Sequence, residues 1–324
     1  MPQKFAFGFT DALLTEVGQV SLRDLHFDVD AIIHAHEAVQ PIADRLGVPG
    51  PRPHIAGFTY PHIASLGANI EFPEHSDPAP SPLISSPEEI DALAEPDDYL
   101  AAPLIRQRLG ALERLIERCP HAAKSIGHPY EGPITTAALI LGQQFFTLPY
   151  DDPERAHRLL DFSSTSALNY ARAIHDYFGA EFPPNHVAIP DDFAGIFPPR
   201  KFREFVLPYW ERFFAEGREG CTRFLHSELL RPDHLPLLAE VKLDVYDPGV
   251  NQYLDAESVS RCCPCRFQFR ISPAQMRDLA ADDLVALYRR LSGYQPVVIA
   301  FSMNSLAEEE KARRVLEVAR KLAA

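Results

Sequence analysis

From residue 186 onward, short β-prone runs alternate with longer helical stretches. HVAIPDD (186–192) is followed by PPRKFREFVLPYWERFFAEG (198–217), and CTRFLHSE (221–228) by HLPLLAEV (234–241). KLDVYDPG (242–249) and RCCPCRFQF (261–269) come next, then SPAQMRDLAADDLVALYRRL (272–291), PVVIAFSM (296–303) and a closing helix, AEEEKARRVLEVARKLA (307–323). Strands separated by helices are the pattern of parallel βαβ units. An open doubly wound sheet and a closed barrel both fit. Neither GxGxxG nor a P-loop is present, which weakens the nucleotide-binding versions of the open sheet. A barrel accommodates 324 residues as one unit, and 46% hydrophobic residues sustain its core.

Upstream, the spacing of apolar residues predicts helices over 29–46, 101–119, 132–142 and 152–178, and SSPEEIDAL (85–93) reads as a helix start with Pro and acids in its first turn. Residues 68–72 and 123–126 are strand candidates. The expected organisation is a single-domain (β/α)8 TIM barrel over 61–324, with residues 1–60 as a helical and loop extension packed on it.

The net charge of −14 repels phosphate backbones and anionic lipid, so neither nucleic acid nor membrane is an expected partner. No apolar run approaches a bilayer-spanning length. MPQKFAFGFT lacks the features of a signal peptide, so a cytoplasmic location is expected. The five cysteines, Cys119, Cys221, Cys262, Cys263 and Cys265, do not read as a disulfide framework.

In α/β barrels the chemistry lies at the C-terminal ends of the strands. Three predicted strands end in ionisable groups: Asp191 and Asp192, then His226 and Glu228, then Asp247. His226 and Glu228 are two apart on an extended strand, so they point the same way, as two ligands of one metal or an acid–base pair would. A hydrogen-bonded pair at a strand end is the plainer reading. Asp191 and Asp192 are adjacent, so one faces the mouth while the other is left to cap a helix. CCPC offers thiols that suit zinc, Cys265 foremost, although it sits near the start of its strand. His34 and His36 do not share a helical face and read as surface or packing residues; His62 follows Tyr60-Pro61 in a loop that could line a pocket. In GPITT, Gly132 and Thr135 open a helix whose N–H groups could meet an anionic cofactor group.

Several of these segments resemble the superfamily of uroporphyrinogen decarboxylase and the cobalamin-dependent methyltransferases. ASLGANIEFPEHSDPAPSPLISSPEEIDAL (64–93) is similar to its Leu-Gly, strand and Ser-Pro-Glu helix. GPITTAALILGQQFF (132–146) with DPERAHRLLD (152–161) resembles its Gly-Pro-x-Thr and Asp-Pro-Glu helices. DDFAGIFPPRKFREFVLPYWERF (191–213) is similar to its strand-end aspartate and following helix, and FLHSE (224–228) falls where it has a strand-end His. The resemblance runs from about residue 60 onward and implies a TIM barrel with Asp191 or Asp192 and His226 as catalytic groups. Two departures matter. The Arg-Gln-Ala-Gly-Arg motif that grips tetrapyrrole carboxylates in the decarboxylases has no counterpart before residue 50. Where the methyltransferases carry His-x-Cys and a further Cys on the last strand, this chain has His226-Ser-Glu228 and Ser302.

The resemblance therefore implies a methyltransferase acting between a small-molecule methyl donor or acceptor and a methylated corrinoid on a partner protein. Zinc, if bound, would be held by His226 and Glu228 with Cys265 or Cys263, Asp247 with Gly132 and Thr135 would serve the cofactor, and a homodimer is the assembly considered. Two rival expectations are a metal-free lyase, with Arg266 and Arg270 gripping carboxylates while His226 moves protons, and a non-catalytic barrel that binds a corrinoid or tetrapyrrole.

Overall fold

The computed structural model describes residues 4–127 and 130–323. Nine strands are assigned among them: β1 (Lys4–Phe9), β2 (Ile70–Glu71), β3 (Ala79–Pro80), β4 (His186–Pro190), β5 (Thr222–His226), β6 (Val245–Asp247), β7 (Arg266–Phe267), β8 (Phe269–Arg270) and β9 (Val298–Met303). Two parallel sheets form the wall, in the orders β4-β5-β6-β7 and β1-β9-β8. Gln268 alone separates β7 from β8. Its N–H donates to Tyr246 O, while Val297 N–H donates to Phe267 O, so residues 266–270 pair with β6 on one side and β9 on the other. Six wall positions thus run continuously from β4 to β1.

Two irregular segments complete the circuit. Residues 123–127 run beside 53–58, with Ala123 N–H on Pro53 O, and residues 130–132 reach β4 through Gly132 N–H on Pro190 O. Pro53 lacks an N–H, and Gly127 sits at φ +120°, so neither segment forms a regular ladder. Arg108, fully buried, takes over that bonding: its Nη2 donates to both Ala56 O and Ile126 O, and its guanidinium lies over the Phe58 ring. Hydrogen bonds from a charged donor contribute about 1.5–3 kcal/mol each. With these eight positions the chain is a (β/α)8 barrel.

The helical periodicity translated well. Helices occupy Val29–Leu46, Pro103–Arg118, Pro133–Leu141 and Pro153–Phe178. The predicted 198–217 helix is two, Pro199–Phe205 and Leu207–Phe214, because Pro208 has no N–H to continue the first. β9 shows why a strand forms: Ile299, Phe301 and Met303 are buried while Val298, Ala300 and Ser302 are half-buried, a period of two.

The expected extension over residues 1–60 contains a strand of the wall itself. β1 pairs in parallel with β9 along its whole length, from Lys4 opposite Val298 to Phe9 opposite Met303. Its alternation, with Gly8 and few charges, is too short to stand out beside the long helix that follows, yet it is barrel wall. The strand candidate at 123–126 forms no ladder; Ala123 N–H bonds Pro53 O and Ser125 N–H turns back onto Ala123 O. No helix among the described residues is long and apolar enough to cross a membrane.

Candidate active site

The parallel register sets Pro190, His226 and Asp247 side by side, so the strand-end groups meet at one face. His226 is central. Its Nδ1 lies 2.9 Å from Asp247 Oδ2, and its Nε2 faces Asp192 Oδ1 and Glu228 Oε1, each at 3.7 Å. Burial opposes a charged imidazole here, but the Asp247 carboxylate outweighs it, with Asp192 adding to the effect, so the His226 pKa is raised above its ordinary value.

Asp247 is 1% exposed and fully engaged. Arg270 Nη2 forms a short ion pair with its Oδ2, and Gly249 N–H donates to its Oδ1 at 2.9 Å. Burial alone would raise this carboxyl; His226 and Arg270 outweigh it and hold it well below the usual carboxylate range. Asp247 therefore orients the imidazole, and it presents no free oxygen of the kind expected of a cofactor contact. Glu228 is placed by Val250 N–H, which donates to its Oε1, and its own N–H donates to Asp192 Oδ1. Burial raises the Asp192 pKa against the pull of His226. Gly249 has φ +58°, and a Cβ there would lie 2.2 Å from Glu228 Oε1 and 2.7 Å from His226 Cε1, so only glycine lets the loop close over the pair.

Asp191 and Asp192 have parted. Asp192 joins His226, whereas Asp191 is 0% exposed and faces inward. It accepts from Ile134 N–H, from Thr135 N–H and Oγ1, and from Trp210 Nε1 at 2.7 Å. The anion met by the helix Pro133–Leu141 is thus this internal carboxylate. Gly132 and Thr135 are correspondingly committed to Asp191 and not to an external cofactor; a Cβ on Gly132 would lie 2.5 Å from Asp191 Cβ. Asp191 O also accepts from Ser227 Oγ, so this residue fixes the end of β4 to β5 next to His226.

Cys265 is not at this site. It precedes β7, where Arg266 pairs with Val245, the first residue of β6, while Asp247 ends that strand. Three residues of strand, roughly 10 Å, separate the two levels, and zinc ligands lie about 2.0–2.3 Å from the metal. Among the described residues, no three His, Cys, Asp or Glu side chains are arranged to hold a metal ion. Arg266 sits beside Cys265 at that far end, and Arg270 is bound to Asp247, so neither is placed to grip a substrate carboxylate at His226.

Sequence reading missed Glu131. It is 6% exposed, its Oε2 meets no protein partner, and burial raises its pKa well above the ordinary value, opposed by a hydrogen bond with Thr59 and aided by nearby Asp192 and Asp191. Its position directly before Gly132, at a barrel wall, was the available signal. His62 is buried, with its Nε2 against Ser166 Oγ. His36 is buried too, its Nδ1 on Ile32 O and its Nε2 on His54 Nδ1. A cleft of about 1060 Å³ near Phe27, Ile70 and Gln107 contains none of the strand-end groups, so strand geometry and not cavity size places the site.

The sequence matches the family model of uroporphyrinogen decarboxylase (URO-D) over residues 61–263. The fold is similar to the solved structure of a methyltransferase from Methanosarcina mazei, with a TM-score of 0.73 at 16% identity, covering 100% of this chain and 94% of that one. No curated protein matches the sequence.

Proposed function

This chain belongs to the uroporphyrinogen decarboxylase family, and we propose that within it the protein is a methyltransferase in which His226 activates the methyl acceptor. The observation that carries this reading is the arrangement around His226: Nδ1 locked on Asp247, Nε2 turned toward Asp192 and Glu228. The likeness in fold to a methyltransferase supports it. The charge balance supports it as well. A polycarboxylate substrate needs free cations, and Arg270, the nearest one, is committed to Asp247.

In this reading the acceptor approaches Nε2 with its nucleophilic atom still protonated. The imidazole takes that proton as the acceptor attacks the methyl carbon, and the leaving group departs with the bonding electrons. Asp247 holds the ring in the tautomer with Nδ1 protonated and stabilises the imidazolium that forms, and Arg270 keeps Asp247 ionised. Asp192 and Glu228 further favour the charged ring. The methyl source is a small-molecule donor or a methylated corrinoid carried by a partner protein, which supplies an electrophilic methyl group. The expected zinc set of His226, Glu228 and Cys265 does not fit, because Cys265 lies at the other end of the strands. We derive no step through a metal.

The test is methyl transfer from methylcobalamin to a panel of thiol and amine acceptors, followed by the cobalamin spectrum, for the wild type and His226→Ala. Turnover lost in the variant supports the reading. Spectral binding without turnover in either protein replaces it with a non-catalytic corrinoid-binding barrel. Metal content by plasma mass spectrometry on the same samples serves as a second arm: one zinc per chain, lost in the variant, would overturn the metal-free step.

A further inference from the structure

At the barrel face opposite His226, the helix Ala256–Cys262 passes into β7 through Cys263, Pro264 and Cys265. The Cys263 and Cys265 Sγ atoms stand 3.5 Å apart in hydrogen-bond contact. Both ends of this connection are fixed: Cys263 N–H donates to Val259 O, and Arg266, directly after Cys265, pairs with Val245. Pro264 restricts the turn between them. Both thiols are half-buried, and Cys265 lines an open cleft of about 520 Å³ with Asp244, Ser260, Arg266 and Gln295. The hydrogen bond from Cys265 lowers the Cys263 pKa and raises that of Cys265, so the pair shares its first proton unequally. Two hydrogen-bonded thiols, one of them on an open cleft, are chemistry the site at His226 does not use.

We propose that Cys263 and Cys265 form a reversible dithiol–disulfide site whose oxidant is a low-molecular-weight disulfide, RSSR, entering by this cleft. In the singly deprotonated pair, Cys263 takes the Cys265 proton as Cys265, the thiol on the cleft, attacks one sulfur of RSSR. An S–S bond forms to Cys265, the RS–SR bond breaks, and RS⁻ leaves. That RS⁻ takes the proton from Cys263, becoming RSH. The Cys263 thiolate then attacks the Cys265 sulfur and releases the second RS⁻. The protein loses two electrons, and the oxidant is reduced to two thiols. Arg266 on the cleft suits a carboxylate-bearing RSSR such as oxidised glutathione. The ring closed across one proline is small and strained, which makes such a bond easy to reduce again.

The test equilibrates the full chain with graded ratios of oxidised to reduced glutathione, followed by acid quench, alkylation and peptide mass mapping. The expected result is a Cys263–Cys265 peptide lighter by two hydrogens, at ratios that leave Cys119 and Cys221 alkylated. Cys262→Ser should oxidise in the same way, and Cys263→Ser should stop at a glutathione mixed disulfide on Cys265. A crosslink to Cys262 instead, or oxidation of the pair no sooner than Cys119 and Cys221, overturns the proposal.

Discussion

Lowering the pH should unfold this protein through histidines that folding keeps neutral. His62, in the helix Pro61–Ser65, shares a hydrogen bond of 3.0 Å with Ser166 Oγ through Nε2, and its Nδ1 meets no protein partner. Burial pushes its pKa down from 6.5 to about 3. In the unfolded chain the ring takes up a proton near pH 6.5, whereas the folded chain resists until about pH 3. Between those values the unfolded state binds more protons, so stability falls with falling pH by about 1.4 kcal/mol per unit. By pH 5 the loss at His62 alone is about 2 kcal/mol. His26 and His36, each lowered to about 4 chiefly by burial, lose similar amounts. Asp191, raised to about 6 by burial, and Glu131, raised well above its ordinary value, act in the opposite sense, so these histidines set only the destabilising part of the pH dependence. Urea unfolding at about pH 7.5 and about pH 5, for the wild type and His62→Phe, reads this directly. Phenylalanine keeps a ring beside Tyr99 and Tyr170, and Ser166 Oγ keeps Ser163 O as its acceptor. The fall in stability between the two pH values should shrink by about 2 kcal/mol in the variant. A variant that loses as much stability as the wild type would refute the reasoning.

Asp191→Asn should cost about 2–6 kcal/mol in urea unfolding near pH 7.5, because one amide oxygen cannot serve four donors and two stay buried without acceptors; a cost below about 1 kcal/mol would contradict that sharing. Asp247→Asn should move the His226 titration, read by NMR, to lower pH, since the carboxylate is what raises it. In methyl transfer the rate should fall as pH falls through the raised His226 pKa, and the same variant should shift that limb downward; an unmoved limb would remove His226 as the base. Gly249→Ala should cost roughly 1–2 kcal/mol for its left-handed backbone and slow turnover by displacing Glu228. Equal stability and rate would show that the loop opens freely.

Much of the barrel was legible because its signals are local. β4, β5, β6 and β9 carry short apolar runs with turn residues at their ends, and the helix Pro153–Phe178 declares itself by its Asp-Pro start and its periodicity. The strand β1 was hidden because its stabilisation comes from β9, almost the whole chain away. Residues 261–265 were read as strand, but Ala256–Cys262 is a helix capped by Asp255, whose side chain accepts from Ser258 N–H. At the site, same-face geometry brought His226 and Glu228 together from sequence alone. The division of labour between Asp191 and Asp192 was not readable, because it depends on Trp210 and Thr135 arriving from other elements. Glu131 escaped for a related reason: its place before Gly132 marks a wall position, but burial of its carboxyl is a tertiary fact.

The pairing of β1 with β9 also governs how the protein is made. On a ribosome, Lys4–Phe9 emerges nearly three hundred residues before Val298–Met303, the strand whose backbone groups it must join. Until then a mostly apolar six-residue edge, KFAFGF, has unpaired N–H and C=O groups, which other nascent chains can template against. Barrel closure is accordingly a late, long-range event. Expression yield should therefore respond more to chaperone supply and synthesis temperature than to changes in the short-range helices.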